Sequence, residues 1–324
     1  MSTRYTGTAE DLRRLAAALK AGELVAVPSE TVYGLAADAL NEEACREIFR
    51  VKGRPADDPL IVHLPPDFDL ARIARPTPLL EPLRTAFWPG PLTLVLEKKP
   101  VVPDLVTAGL PSVAVRAPSH PVLRRLLEIF GGPLAAPSAN LFAGISPTTA
   151  SHVEDSLGDL IPHILDGGPC LHGIESTILD IRDPERPMVL RHGAIPLEEI
   201  ETVLDRPVVP AVANAETARL APGQMARHYS PRTPLEAVSD RPLRDHPLAG
   251  DPGTALLFFR KPDNPPPGRS YWLSEKGSPR DAAANLFAVL REIDRHAHTR
   301  ILAETAPEPG LGRAINDRLT RAGG

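Results

Sequence analysis

A chain of 324 residues, 42% apolar and 24% charged, has the composition of a soluble globular protein with room for one large domain or two ordinary ones. Aromatic residues make up only 4%, which argues against a long base-stacking platform for single-stranded nucleic acid. The net charge of −5 is uneven: residues 225–324 carry 15 Lys+Arg against 12 Asp+Glu, and residues 1–224 carry 21 against 29, so bulk attraction to a phosphate backbone is not expected in the first part.

The first helix is expected at Thr8, which can cap, with Asp11 three residues on and Leu12, Leu15, Ala16 and Leu19 at helical spacing before Gly22. A short buried strand, Leu24–Val27, leads into Pro28-Ser29-Glu30-Thr31-Val32-Tyr33-Gly34-Leu35. A second helix, capped by Asn41, turns Ala44, Ile48 and Val51 inward and delivers the chain to Lys52. Strand-like runs follow at 60–64, 92–96, 113–115, 134–136, 164–165, 176–181 and 189–191, with helices at 121–130, 148–157 and 196–204. Some runs are too close for a helical crossover, so the sheet should be mixed.

Periodicity fails from Asp205 to Ala226, where prolines mark a connector that includes Pro222-Gly223-Gln224-Met225. A second α/β pattern then begins, with strands at 235–238, 255–259, 271–273 and 300–303. Its helices are expected at 278–295 and from Gly312 onward. About a hundred residues suffice for a small three-layer unit.

Cys45 and Cys170 stand far apart in no metal-type spacing, which points to a reducing compartment. No run reaches membrane-spanning length and Met1–Tyr5 has no apolar signal character, so a cytoplasmic protein without a membrane partner is expected. The sequence has no Walker-type loop, dinucleotide fingerprint, His-Glu-x-x-His, Cys-x-x-Cys or Gly-x-Ser-x-Gly.

What stands out instead is Lys52-Gly53-Arg54-Pro55. Pro55 bars Arg54 from extending the preceding helix, leaving two cations on a stiffened corner suited to phosphate oxygens or, equally, to a solvated turn. Polar residues also gather at strand ends: Ser29-Glu30-Thr31, Arg116, Pro137-Ser138-Ala139-Asn140, Glu175-Ser176-Thr177 and Arg191. Each taken alone also fits a capped turn or a surface cation. Tyr33 reads as readily as a core residue. Arg227-His228-Tyr229-Ser230-Pro231 closes the connector, either as a lid over a pocket or as a domain-boundary turn.

Taken together, Ser29–Leu35, Lys52-x-Arg54-Pro55, Pro59–His63, Trp88–Thr93, Val113–Arg116-x-Pro118, Pro137–Asn140, Gly144-x-Ser146-Pro147-Thr148, Glu175–Thr177, Leu190-Arg191-x-Gly193, Pro222–Met225 and His228–Pro231 resemble the threonylcarbamoyl-AMP synthases of the YrdC/TsaC type in their long, two-domain form. The resemblance implies an α/β fold: a twisted, mixed-sheet catalytic domain over 1–205, a linker or lid over 206–232 and a smaller Rossmann-like α/β domain over 233–324. It implies that L-threonine, bicarbonate or CO2 and ATP become threonylcarbamoyl-AMP and pyrophosphate. A separate complex would then pass the threonylcarbamoyl group to tRNA.

On this resemblance Lys52 and Arg54 are the catalytic residues, and they share the ATP with Asp58, Ser112, Ser138, Asn140, Ser146, Arg191 and Tyr229. Threonine falls to Thr31, Tyr33, His63, Arg116, Ala136 and Ser176. Mg2+ would arrive on the ATP without a dedicated protein site, and no organic cofactor is implied. One departure is local: Asp57-Asp58 puts two acids beside the Lys/Arg corner where the family often has neutral or basic residues, so Asp58 serves the metal or repels phosphate. The alternative from another class is a module that docks tRNA or double-stranded RNA on a basic concavity. A further alternative keeps the fold but changes the acceptor, as in carbamoyl-transferring domains of hydrogenase maturation proteins.

Overall fold

The computed structural model describes residues 2–211 and 227–324. The connector segment with Pro222–Met225 lies outside the described residues.

Thr8 and Asp11 cap each other's backbone in a reciprocal box, and the helix that follows buries the four expected apolar residues. In chain order the first unit runs β1 (Thr3–Tyr5), α1 (Ala9–Lys20), β2 (Val25–Val27), β3 (Gly34–Asp38), α2 (Glu42–Lys52) and β4 (Ile61–His63). It continues with β5 (Ala74–Arg75), α3 (Leu80–Phe87), β6 (Leu92–Lys98), β7 (Ser112–Arg116), α4 (Pro121–Phe130) and β8 (Leu134–Ala135). Then come α5 (Ala150–Leu157), β9 (His163–Leu165), β10 (Thr177–Asp180), β11 (Met188–Arg191), α6 (Leu197–Leu204) and β12 (Val209–Pro210). The strands form one mixed sheet in the order β1-β9-β2-β3-β8-β4-β7-β6-β10-β11-β12, with β5 on β6.

Strand alternation decides which side chains meet. Val62, Val113, Val115, Leu94, Leu96, Leu179 and Val189 face the main core. Ile61, Ala114, Val95, Ile178 and Leu190 form a separate small cluster on the other face. His63, Arg116, Thr93 and Ser176 lie two residues from members of that cluster and so share its face. In β4 and β7, which pair in parallel, His63 and Arg116 are register partners. A row of polar side chains therefore crosses the open face of the sheet.

The second unit has β13 (Leu235–Val238), β14 (Thr254–Arg260), β15 (Ser270–Ser274), α7 (Pro279–Ile293), β16 (Arg300–Glu304) and α8 (Leu311–Gly323). Its strands are all parallel in the order β13-β16-β14-β15. Both helices pack with Ala255, Leu257, Ile301 and Ala303 on one face. Among the described residues, the opposite face is covered by Leu243, Leu248 and Ala249 from a short 3-10 turn and its loop. The three-layer expectation is corrected accordingly, because the stretch between β13 and β14 carries no α-helix. The sequence also missed β3 and α3, and part of the expected connector, β12, adds to the sheet edge beside β11. Among the described residues no helix is long and apolar enough to cross a membrane.

The two units touch through α7 and α8. Arg291 donates to the Ile145 carbonyl, Arg295 pairs with Asp155 at 2.8 Å and Arg313 with Glu198 at 2.8 Å.

Candidate active site

Helix α2 stops at Gly53, whose left-handed backbone (φ 61°) suits glycine and turns the chain sharply after Lys52. Lys52 is buried, and its Nζ donates to the carbonyls of Ser138 (2.6 Å) and Asn140 (2.5 Å). Burial and the neighbouring Arg54 push its pKa well below the usual lysine value, while Asp58 pulls the other way. Arg54 is buried as well. It donates to the Asp58 and Pro59 carbonyls at 3.1 and 2.7 Å and forms an ion pair with the Asp58 carboxylate at 3.0 Å.

Asp58 is thus the counter-charge that allows Arg54 to be buried, and it lies outside the lining of the cavity described next.

Arg54 opens onto a hollow on the polar face of the sheet, shared with Thr31, His63, Arg116, Ala136 and Ser138. The far wall is Glu175, Ser176 and Arg191, and His228 and Tyr229 also line it, with apolar residues such as Val27, Val32 and Ile61 between the polar ones. Gly193 is required nearby: a Cβ there would stand 2.3 Å from the Ser176 backbone, so only glycine lets the chain after β11 pass Glu175–Thr177.

Arg116 is held by two hydrogen bonds and an ion pair. Its Nη1 donates to Thr31 Oγ1 at 2.9 Å, its Nη2 pairs with Glu30 at 2.6 Å and its Nε donates to the Gly90 carbonyl at 3.3 Å. Burial alone would raise the Glu30 carboxyl, but the Arg116 guanidinium beside it overrides that and holds it down at about 2. Thr31 is fixed in turn by Ser29 Oγ at 2.9 Å. His63 is buried and kept neutral, its pKa pushed down to about 3 by burial and by Arg116. Among the described residues its Nδ1 has no hydrogen-bond partner.

On the far wall Arg191 donates to the Ser176 carbonyl at 3.0 Å and to Ser176 Oγ at 3.1 Å, and Thr93 Oγ1 lies 2.8 Å from the same hydroxyl. Glu175 accepts from Ser146 Oγ at 2.6 Å. Tyr229 has a left-handed backbone (φ 61°), which non-glycine residues seldom adopt, and its ring stacks on Phe287 of α7. Its pKa is raised to about 12, chiefly by burial, and among the described residues its hydroxyl has no partner. His228 is likewise held neutral, at about 2, by burial and by the Arg54, Lys52, Arg191 and Arg318 charges. Buried polar atoms without partners are costly, and their clustering around one hollow points to a ligand that would satisfy them.

Of the residues singled out in the sequence, Thr31, Arg54, His63, Arg116, Ala136, Ser138, Ser176, Arg191 and Tyr229 share the lining, and Lys52 braces the Ser138 carbonyl at its edge. Asn140 and Ser146 lie outside the lining: Asn140 Nδ2 ties down the Leu141 and Gly144 carbonyls, and Ser146 holds Glu175. Ser112 stands four residues from Arg116 at the other end of β7, on the same face but outside the lining. Tyr33 is a core residue, not a wall of the hollow. Its hydroxyl donates to the Gly168 carbonyl at 2.7 Å and lies outside the lining. Glu175 and His228 carried motif signals but no assigned role, and nothing in the sequence marked Arg318.

A cation-rich hollow on the open face of a mixed sheet, walled partly by residues that a second α/β unit holds, has the charge of a site suited to small anionic substrates. Two family profiles match: Sua5/YciO/YrdC, described as telomere recombination, over residues 17–193, and the threonylcarbamoyl-AMP synthase C-terminal domain over 195–324. The chain is 42% identical to the threonylcarbamoyl-AMP synthase of Pyrococcus abyssi, across 97% of this chain and 94% of that one. It is 38% identical to that of Bacillus subtilis, across 97% and 93%. The crystal structure of P. abyssi Sua5 complexed with L-threonine matches with a TM-score of 0.89 at 38% identity, covering 100% of this chain and 97% of that one. The chain therefore belongs to the Sua5/YrdC family of ATP-using threonylcarbamoyl-AMP synthases, in the form that carries the additional C-terminal domain.

Proposed function

We propose that the hollow converts L-threonine, bicarbonate or CO2 and ATP into threonylcarbamoyl-AMP and pyrophosphate, for delivery in the cytoplasm to a separate complex that modifies tRNA. The observation that carries this reading is the meeting of two cationic poles in one hollow: Arg116 with Thr31 and His63, and Arg54 with Arg191, Ser138 and Tyr229. One pole suits an amino-acid carboxylate, the other a triphosphate. Catalysis is assigned to residues 1–205, the connection to 206–232 and closure to 233–324.

Threonine's amine adds to CO2 and loses a proton to give a carbamate. A carbamate oxygen then attacks the α-phosphorus, a new P–O bond forms, and the bond to the β-phosphate oxygen breaks with loss of pyrophosphate. Attack of one anion on another depends on positioning and charge neutralisation more than on a covalent nucleophile. Arg116 receives the threonine carboxylate, held rigid by Glu30 and Gly90 from outside the lining. Neutral His63 and the Thr31 and Ser176 hydroxyls orient the rest of the amino acid. Arg54 and Arg191 face the phosphates, and an arriving triphosphate favours the charged form of Lys52. Tyr229 remains a phenol and covers the adenylate, excluding water from a mixed anhydride.

Among the described residues no group of three or more His, Cys, Asp or Glu side chains could hold a metal, and the one carboxylate in the lining, Glu175, is engaged by Ser146 and Arg318. We take Mg2+ as part of the substrate, entering on the nucleotide. The RNA-docking alternative is not favoured: Lys52, Arg54, Arg116 and Arg191 are all buried, not displayed on a surface that could track a nucleic-acid backbone. Pyrophosphate release should require ATP, threonine and bicarbonate together, with no RNA. Release that continues unchanged without threonine would refute the assignment.

A further inference from the structure

One buried cation beside the hollow comes from the C-terminal unit. Arg318 of α8 has a side chain 0% exposed, and among the described residues of that unit it is the only buried Lys, Arg, Asp or Glu. Its contacts reach into the first unit. Nε donates to Glu175 Oε2 at 3.0 Å and Nη1 to the His192 carbonyl at 2.7 Å, while Asp317 steadies Nη1 at 2.9 Å. The guanidinium carbon also lies 5.1 Å from the centroid of the Tyr229 ring. Arg318 does not line the hollow, but Glu175 and Tyr229 both do.

The sign of the charges gives this contact its meaning. Glu175 is the one carboxylate in the described lining, in a site read here as binding triphosphate. Left uncompensated, a buried carboxylate there would repel the nucleotide that Arg54 and Arg191 attract. Charge–charge attraction to Glu175 and Asp317 opposes the burial that would otherwise discharge the guanidinium.

We propose that Arg318 is a positioning residue through which docking of the C-terminal unit completes the active site: it neutralises Glu175 and fixes Tyr229 as a cover over the adenylate. This rests on the ATP- and threonine-binding reading of the hollow. It gives the C-terminal unit a defined part in turnover, namely to lower the repulsion met by ATP and to protect the anhydride from water.

The test compares Arg318→Gln, Arg318→Lys, Arg318→Gln with Glu175→Gln, and Arg313→Ala in the full chain. Arg313 bridges the same two units through Glu198 without touching the described lining, so it controls for docking alone. Readouts are KM for ATP, kcat, the ratio of AMP to threonylcarbamoyl-AMP, and thermal unfolding. Arg318→Gln should raise KM for ATP by roughly tenfold or more, the scale of one charged hydrogen bond, and should increase the AMP share. Arg318→Lys should recover part of the loss, and the double variant should return KM for ATP toward wild type because the stray anion is gone. Arg313→Ala should match wild type in KM and AMP share.

A wild-type KM and AMP share in Arg318→Gln would overturn the proposal, as would equal impairment in Arg313→Ala. If Arg318→Gln does not fold, the lysine and double variants decide: absence of rescue in the double variant overturns it. A wild-type enzyme that makes no threonylcarbamoyl-AMP would instead refute the reading of the hollow itself.

Discussion

The two sheets bury very different things. In the first unit Lys52, Arg54, Asp58, Arg116, Glu175 and Arg191 are all buried, most of them against the open face of the sheet. In the second, the described interior is almost wholly apolar, and the one buried charge, Arg318, points across the boundary into the first. Burying charge costs several kcal/mol per ion unless it is paired and hydrogen-bonded. The first unit bears most of that cost around the hollow, with Asp180 and its Arg182 partner an exception, whereas the second folds around ordinary packing. The contrast locates the chemistry more firmly than the sheet topology does, because an α/β sheet supports many functions.

The sharpest way to break this contrast is Arg54→Ala. Adenylate formation should fall by roughly 100- to 1,000-fold, the scale seen when one preorganised charge-stabilising donor is removed. The same change leaves Asp58 buried and unpaired, which should cost about 3–5 kcal/mol of stability. Adding Asp58→Asn should recover much of the stability in denaturant titrations but none of the activity. Recovery of both would reduce Arg54 to a structural residue.

A matched change in the second unit should do the opposite. Leu302 is buried on the sheet face turned away from α7 and α8. Leu302→Ala should lower stability by about 2–5 kcal/mol. At a temperature where the variant stays folded, kcat/KM should equal that of wild type.

Acid should also act first on the first unit. His63 (about 3) and Glu30 (about 2) titrate in the folded protein below their ordinary values of 6.5 and 4.5. Between each pair of values the unfolded chain binds more protons than the folded one, so stability is lost as pH falls. The loss should begin below about pH 6.5 through His63 and deepen below about pH 4.5 through Glu30. Thermal unfolding of His63→Phe across this range should show a shallower fall in Tm than wild type. An identical slope would mean that His63 is not held neutral.

The smallest expected effect concerns Tyr33. Because its hydroxyl serves the Gly168 carbonyl outside the hollow, Tyr33→Phe should cost about 0.5–1.5 kcal/mol in stability and leave KM for threonine unchanged. A raised KM would restore Tyr33 to the threonine site.

Local signals in the sequence were legible where one residue decides the outcome. Thr8 with Asp11, Asn41 and Ser278 each cap the helix they were expected to start, since a side-chain cap needs only its near neighbours. Strand β3 was hidden because Gly34 and two alanines give little β signal, and it forms through pairing with β2 and β8. In the site, residue types at strand ends were readable, and alternation alone places His63 and Arg116 on one face. The partner that turns Asp58 from a repelling acid into a counter-charge was not readable, although it sits only four residues away. Which way Arg54 folds back depends on the carbonyls of Asp58 and Pro59. Arg318 was beyond reach for a different reason: it meets Glu175 across 143 residues of chain, through the docking of two units.

The most direct measurement is mass analysis of the nucleotide products after incubating the full chain with ATP, Mg2+, 13C-bicarbonate and each amino acid in turn. Threonine should give an adenylate that carries the label and the intact amino acid, in step with pyrophosphate, and most other amino acids should give little. Labelled adenylate formed equally with any amino acid, or none formed with threonine, would contradict a hollow with Arg116 at one pole and Arg54 at the other.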